Sequence, residues 1–173
     1  MIIFKLIQSL FQTLHSEGTP GQVAAGMALG AILGLTPLMS LHNLVIFALI
    51  MVFNVSFGGA MLGWALFTPL GFALDPLFDA VGRKLLLETP ALTPLWTTLY
   101  NVPVAPLTNF NNTVTLGSLV VSVVAWLPLF FVLRWGVTRY RATMTEWMKR
   151  TGLYRWLTAS KLYNVWRLFV PGS

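Results

Sequence analysis

Ile3, Ile7, Leu10 and Leu14 recur at helical spacing, while Lys5, Gln8, Ser9, Gln12 and Ser16 take the opposite face. That pattern predicts an amphipathic helix over residues 1–16, lying in the plane of a membrane surface. A cleaved secretory signal is the rival, but Gln8-Ser9 interrupts the apolar stretch and no small-x-small site follows. Beyond it the apolar pattern becomes continuous. No Lys, Arg, Asp or Glu occurs in the 57 residues between Glu17 and Asp75, nor in the 45 between Glu88 and Arg134. Charged side chains at a bilayer centre cost at least about 2.5 to 3.5 kcal/mol each, so both blocks are expected to be embedded.

In the first block Thr19 suits a helix cap and Pro20 a first turn, which predicts a helix over 20–35 ending at Thr36-Pro37 and a second over 38–53. Each rises about 24 Å, short of a hydrocarbon core of about 30 Å. They form a pair of short crossing helices or one re-entrant hairpin, and either way the chain returns to its starting side. Residues 56–74 are predicted to cross. Asp75-Pro76 then reads as the start of a short surface helix to about residue 87, with Leu77, Phe78, Val81 and Leu85 on one side and an Asp79–Arg83 ion pair. Residues 89–112, with Pro90, Pro94, Pro103 and Pro106, are expected to be irregular and not helical, and 114–133 to cross again.

The expected fold is therefore an all-α integral membrane protein. A short-helix pair or re-entrant hairpin plus two transmembrane helices forms a membrane domain over 17–133, its outer segment being 75–112, with amphipathic interfacial helices on either side.

Composition agrees. Of 173 residues 56% are hydrophobic and 9% charged, where soluble domains carry about 25% charged; the mean hydropathy is +0.74. The net charge of +6 is concentrated at one end. From residue 134 on, Arg134, Arg139, Arg141, Lys149, Arg150, Arg155, Lys161 and Arg167 face a single acidic residue, Glu146. Such an excess beside a crossing helix marks the cytoplasmic side, so both termini are expected to be cytoplasmic.

Aromatic and apolar stripes, Tyr140, Met144, Trp147, Met148 and then Leu162, Val165, Trp166, Phe169, make residues 134–173 a basic, aromatic tail suited to an anionic lipid surface. Docking of another protein's helix on that tail stays open. Nucleic-acid binding does not follow, because no fold for it is present. With no cysteine, two histidines and five carboxylates, the chain has little for catalysis or metal binding, and no enzyme activity, metal or cofactor is expected.

Gly18-Thr19-Pro20, Ala25-Gly26-Met27-Ala28-Leu29-Gly30, Thr36-Pro37, Leu41-His42-Asn43 and Asn54 follow one another in an order that resembles a family of small bacterial inner-membrane proteins labelled a domain of unknown function. The resemblance covers residues 18 to about 80, and the proline-rich outer segment and basic tail look specific to a branch. It implies an envelope-lipid setting: some members are fused to glycosyltransferases that use lipid-linked sugars, and those most like this chain are encoded beside a large protein resembling bridge-like lipid carriers. The family has no agreed catalytic residues, so none is carried over.

Two groups of residues stand out. Gly26, Gly30 and Gly34, and later Gly59 and Gly63, repeat every four positions, which lets helices approach closely, within the chain, in a homo-oligomer or against a partner's helix. Thr36, Pro37, Ser40, His42 and Asn43 gather polar groups at a proline break; they either satisfy freed backbone groups or meet a lipid headgroup or a proton. The role these point to is non-enzymatic, assisting transport of an envelope lipid or lipid-linked intermediate as membrane partner of a large lipid carrier. A small channel or ion-coupled transporter, lacking an acidic residue in the apolar blocks, and a structural assembly factor are the alternatives.

Overall fold

The computed structural model describes residues 18–150. The helix expected over 1–16 lies outside them, as do Arg155, Lys161, Arg167 and the second tail stripe. All regular structure among the described residues is helical: α1 (Pro20–Leu35), α2 (Leu41–Val52), α3 (Phe57–Leu86), α4 (Thr93–Tyr100) and α5 (Thr113–Arg150), with short 3-10 turns at Pro90–Leu92 and Ala105–Thr108.

α1 begins as its sequence dictates. Gly18 takes a left-handed φ of 55°, which a residue without Cβ adopts at little cost. The Gln22 N–H donates to Thr19 Oγ1 at 3.2 Å and the Thr19 N–H to Gln22 Oε1 at 2.8 Å, a reciprocal cap that satisfies two otherwise orphaned donors. The helix ends at Thr36-Pro37. The chain doubles back through α2, and the Ser56 N–H donates to Gln22 O at 3.1 Å, so α3 starts level with the start of α1. Ser56 then caps α3, accepting from the Gly59 N–H at 2.8 Å.

From there α1 and α3 run parallel in close contact. A Cβ placed on Gly30 stands 2.0 Å from Ala60 O, one on Gly63 2.1 Å from Met27 O, and ones on Gly26, Gly34 and Gly59 come within 2.7 Å of backbone across the seam. The four-residue glycine repeats therefore form a seam inside the chain. Leu29, Ile32, Leu33, Ile50 and Ala60 make the buried cluster beside it, with Ile46, Val55, Trp64 and Trp126 packed around. α5 runs antiparallel to both, placing Val137 with Val23 and Met27 at the α1 start, and Gly117 against Phe78 O at the far end of α3.

Three expectations change. α3 is a single helix through Pro69 and Pro76, so Asp75-Pro76 neither caps nor starts a surface helix. The segment after Pro76 is held in line by α5, where Gly82 closes on Thr113 O and Gly117 on Phe78 O, and Phe78 itself is 0% exposed. Residues 89–112 contain α4 and two 3-10 turns, because Pro90, Pro94 and Pro106 fall in first turns, where a missing N–H costs nothing. α2 starts at Leu41 instead of residue 38, after a turn.

α5 also continues past residue 133. The charges that begin at Arg134 end the apolar stretch without ending the helix, and Arg141 Nη1 donates to Gly18 O at 2.8 Å. Lys149 and Arg150 lie on the last turn of that helix.

Among the described residues two helices, α3 and the stretch Thr113–Thr143 of α5, are long and apolar enough to cross a membrane. In each, only 22% of the most apolar stretch is buried, which is the reverse of a soluble core helix. Phe72, Val124, Val132 and Val52 lie on outer faces, an extent of exposed apolar surface that water-soluble monomers rarely show.

Candidate functional site

The turn from Thr36 to Ser40 is where the polar candidates meet. Thr36 is 5% exposed. Its N–H donates to Ile32 O, and its hydroxyl stands 2.8 Å from Ile32 O and 2.7 Å from Asn43 Oδ1, so one proton serves either acceptor. Asn43 reaches back from the first turn of α2, and its Nδ2 donates to Pro37 O at 2.8 Å. Thr36, Pro37 and Asn43 thus form a closed latch that satisfies the backbone the proline break leaves free. Residues 89–112 are tied to the same turn: Asn109, in the left-handed region at φ 55°, donates from Nδ2 to Met39 O at 3.1 Å.

Ser40 and His42 are not part of the latch. Ser40 stands at the N-cap of α2 but makes no capping bond, and its buried Oγ has no hydrogen-bond partner. Both ring nitrogens of His42 are buried and neither bonds to the latch, the ring lying instead by the Thr108 backbone.

Two clefts flank the turn. One, of about 560 Å³, is lined by Leu33, Leu38, Ser40, Asn43, Leu44, Phe47, Met61, Trp64 and Leu107, among others. His42 is not on its wall, so the cleft collects two of the five sequence candidates, Ser40 and Asn43. The other, of about 360 Å³, holds Thr36 and Pro37 together with Thr68 and Asp75. Asp75 is a residue that sequence reasoning placed outside the site. Read as a helix start, it belonged to the surface; in an unbroken α3 it stands beside the α1–α2 turn. Trp64, Met61 and Leu107 were also missed, being brought in from α3 and the outer segment with no local signature. Trp64 Nε1, like Ser40 Oγ, is buried and unpaired.

At the C-terminal end of α3, Arg83 Nη2 donates to Asp79 Oδ2 at 2.8 Å, as its spacing suggests, and Asp79 also accepts from the Thr113 hydroxyl at the start of α5. These side chains tie helix ends together and lie apart from both clefts. At the opposite end Arg134 and Arg139 are exposed, Arg139 lying over the Trp135 ring at 5.9 Å.

Comparison with known proteins adds a lineage. The bacterial family described as "Uncharacterized protein conserved in bacteria (DUF2062)" matches residues 5–146. The matched span takes in residues 89–112 and the start of the basic stretch. A protein of Treponema pallidum (strain Nichols), described as "Uncharacterized protein", is 32% identical over 139 residues, which cover 80% of this chain and 85% of that protein. No solved structure matches.

Proposed function

For this chain, which belongs to that bacterial family, we propose a non-enzymatic role in the inner membrane, assisting the movement of an envelope lipid or lipid-linked intermediate as the membrane partner of a larger lipid carrier. The observation that carries this reading is the cleft of about 560 Å³ beside a helix break, walled by leucine, methionine, phenylalanine and tryptophan with few polar groups among them. A pocket of that character suits a hydrocarbon chain with one polar attachment. The arrangement of helices supports the setting. α1 rises about 24 Å, short of a bilayer's hydrocarbon of about 30 Å, so the α1–α2 hairpin fits a re-entrant element beside two crossings. Arg134, Arg139 and Arg141 gather at the end where α1 and α3 begin, which supports a cytoplasmic location for that end and for both termini. The cleft then opens towards the outer leaflet, and the remaining basic residues of the tail suit the anionic inner surface.

A second reading, an ion-coupled transporter, gains from Asp75, which supplies beside Thr36 and Thr68 the carboxylate that the apolar blocks lack. The lipid reading is preferred because the larger cleft contains no ionisable group.

The test is affinity purification of the full chain in mild detergent, identifying bound proteins and lipids together. A co-purifying envelope lipid and a large lipid-carrier protein are the expected result; recovery of neither, with unchanged lipid distribution after deletion of the protein, would contradict the proposal.

A further inference from the structure

We propose that the smaller cleft, of about 360 Å³, holds a primary ammonium headgroup on Asp75 while the hydrocarbon of the same lipid lies in the larger one. This rests on the lipid reading above and names the class of lipid.

The inference starts from an unpaired charge. The wall of the smaller cleft consists of residues 33–39, Thr68, Gly71, Phe72, Asp75 and Val114, so Asp75 is the one ionisable group on it. Asp75 is half-buried. Among the described residues it makes no hydrogen bond or ion pair, and neither of its oxygens is shut away from the surface. Asp79, one turn further along α3, has both Arg83 and Thr113 as partners. A carboxylate at membrane depth without such a partner is costly, and calls for a positive group from elsewhere.

The rest of the wall narrows what that group is. α1 ends there, and Pro37 has no N–H to offer Leu33 O, so the last turn presents the negative end of the helix dipole. Thr68 gives its hydroxyl proton to Trp64 O at 2.7 Å, and Thr36 gives its own to Ile32 O or Asn43, so neither has a proton left for a ligand. With no Lys, Arg or His on the wall, a phosphate or carboxylate has nothing there to offset its charge. No group of His, Asp or Glu among the described residues is arranged to hold a metal ion. A primary ammonium needs only one carboxylate, and its N–H donors suit a wall whose side chains can only accept.

Two observations tie that ammonium to a lipid. Leu33, Leu38 and Met39 line both clefts, so the polar one and the apolar one adjoin at the α1–α2 turn. Phe57 opens α3 and Asp75 lies within it, about 27 Å further along at a helical rise, which is close to a hydrocarbon core of about 30 Å. With the start of α3 at one border of the hydrocarbon, Asp75 stands at the other, where headgroups lie. A free cation would leave the apolar half of this arrangement unused.

The experiment is native mass spectrometry of the full chain in detergent, titrated separately with phosphatidylethanolamine, phosphatidylcholine and phosphatidylglycerol of identical acyl chains. The choline headgroup has no N–H and the glycerol one no positive charge. The wild-type protein is expected to bind phosphatidylethanolamine about tenfold more tightly than either, the worth of a hydrogen bond to a charged group. Asp75→Asn is expected to remove most of that preference while binding phosphatidylglycerol at least as well. Glycerophosphoethanolamine, the same headgroup without chains, is expected not to displace the bound lipid at matched concentration. Equal affinity for the three lipids, or a preference that survives in Asp75→Asn, overturns the ammonium inference and leaves the lipid reading standing. Displacement by glycerophosphoethanolamine does the same, since it would assign Asp75 to a free amine. Binding of none of the three lipids overturns both. Should Asp75→Asn fail to fold, the wild-type ranking still decides.

Discussion

Gly30→Leu is expected to abolish accumulation of folded protein. A Cβ on Gly30 would lie 2.0 Å from Ala60 O and 2.9 Å from Trp64 N, all of it backbone. Backbone cannot swing aside as a flexible side chain does, so α1 and α3 must separate along the seam. Overpacking ordinarily costs about 1 to 3 kcal/mol; separating two parallel helices also forfeits the dispersion contacts of Gly26, Gly34, Gly59 and Gly63, which in a membrane setting are the main attraction between helices. The check is yield and thermal unfolding in detergent. Gly136→Leu is the control, since nothing lies within 4 Å of a Cβ there; it is expected to behave as wild type. Normal yield and unfolding temperature for Gly30→Leu would refute the seam.

Phe78→Ala should be the next most damaging. Phe78 is 0% exposed, the largest of the fully buried side chains, and its own carbonyl sits against Gly117. Truncating a buried phenylalanine removes packing and leaves a cavity, worth about 3 kcal/mol or more. Because this contact holds the segment after Pro76 against α5, the loss is expected to appear as a lower unfolding temperature and as new protease sensitivity between residues 75 and 86. Leu77→Ala, whose side chain is 51% exposed one position earlier, should show neither. Equal behaviour of the two variants would mean that α3 is not anchored through Phe78.

These two contacts differ in how far they could be read beforehand. The α1–α3 seam shows in the sequence because its glycines repeat at a helical interval. The α3–α5 contact does not: Gly82 and Gly117 are single glycines 35 positions apart with no repeat around them, and only the antiparallel return of the chain joins them. The start of α1 and the break at Thr36-Pro37 were legible because capping and proline chemistry are local. The same local rule misled at Asp75-Pro76, where packing of Phe78 outweighs the preference of the residue before a proline to leave the helix. Charge was a good guide to where the apolar stretch ends and a poor one to where α5 ends, since lysine and arginine are good helix formers.

The site divides in the same way. Ser40 and Asn43 are adjacent enough in sequence to be noticed, and the break between helices explains why polar groups collect there. Their separate fates were not legible: Asn43 becomes a latch because Thr36 and Pro37 O lie within its reach, while Ser40 is left unpaired on a wall that Trp64 and Leu107 complete from distant segments. The tie from Asn109 to Met39, which lays the outer segment over the turn, spans 70 residues and leaves no periodic trace.

Whether a lipid chain occupies the cleft is most directly tested by photolysis of the protein in bilayers containing a phospholipid with a diazirine in its acyl chain, followed by mapping of the adducts. Adducts concentrated on Leu44, Phe47, Met61 and Trp64, and displaced by unlabelled diacyl lipid, are the expected result. Labelling spread over the outer faces, at Val52, Phe72 and Val124, with none enriched in the cleft, would contradict it.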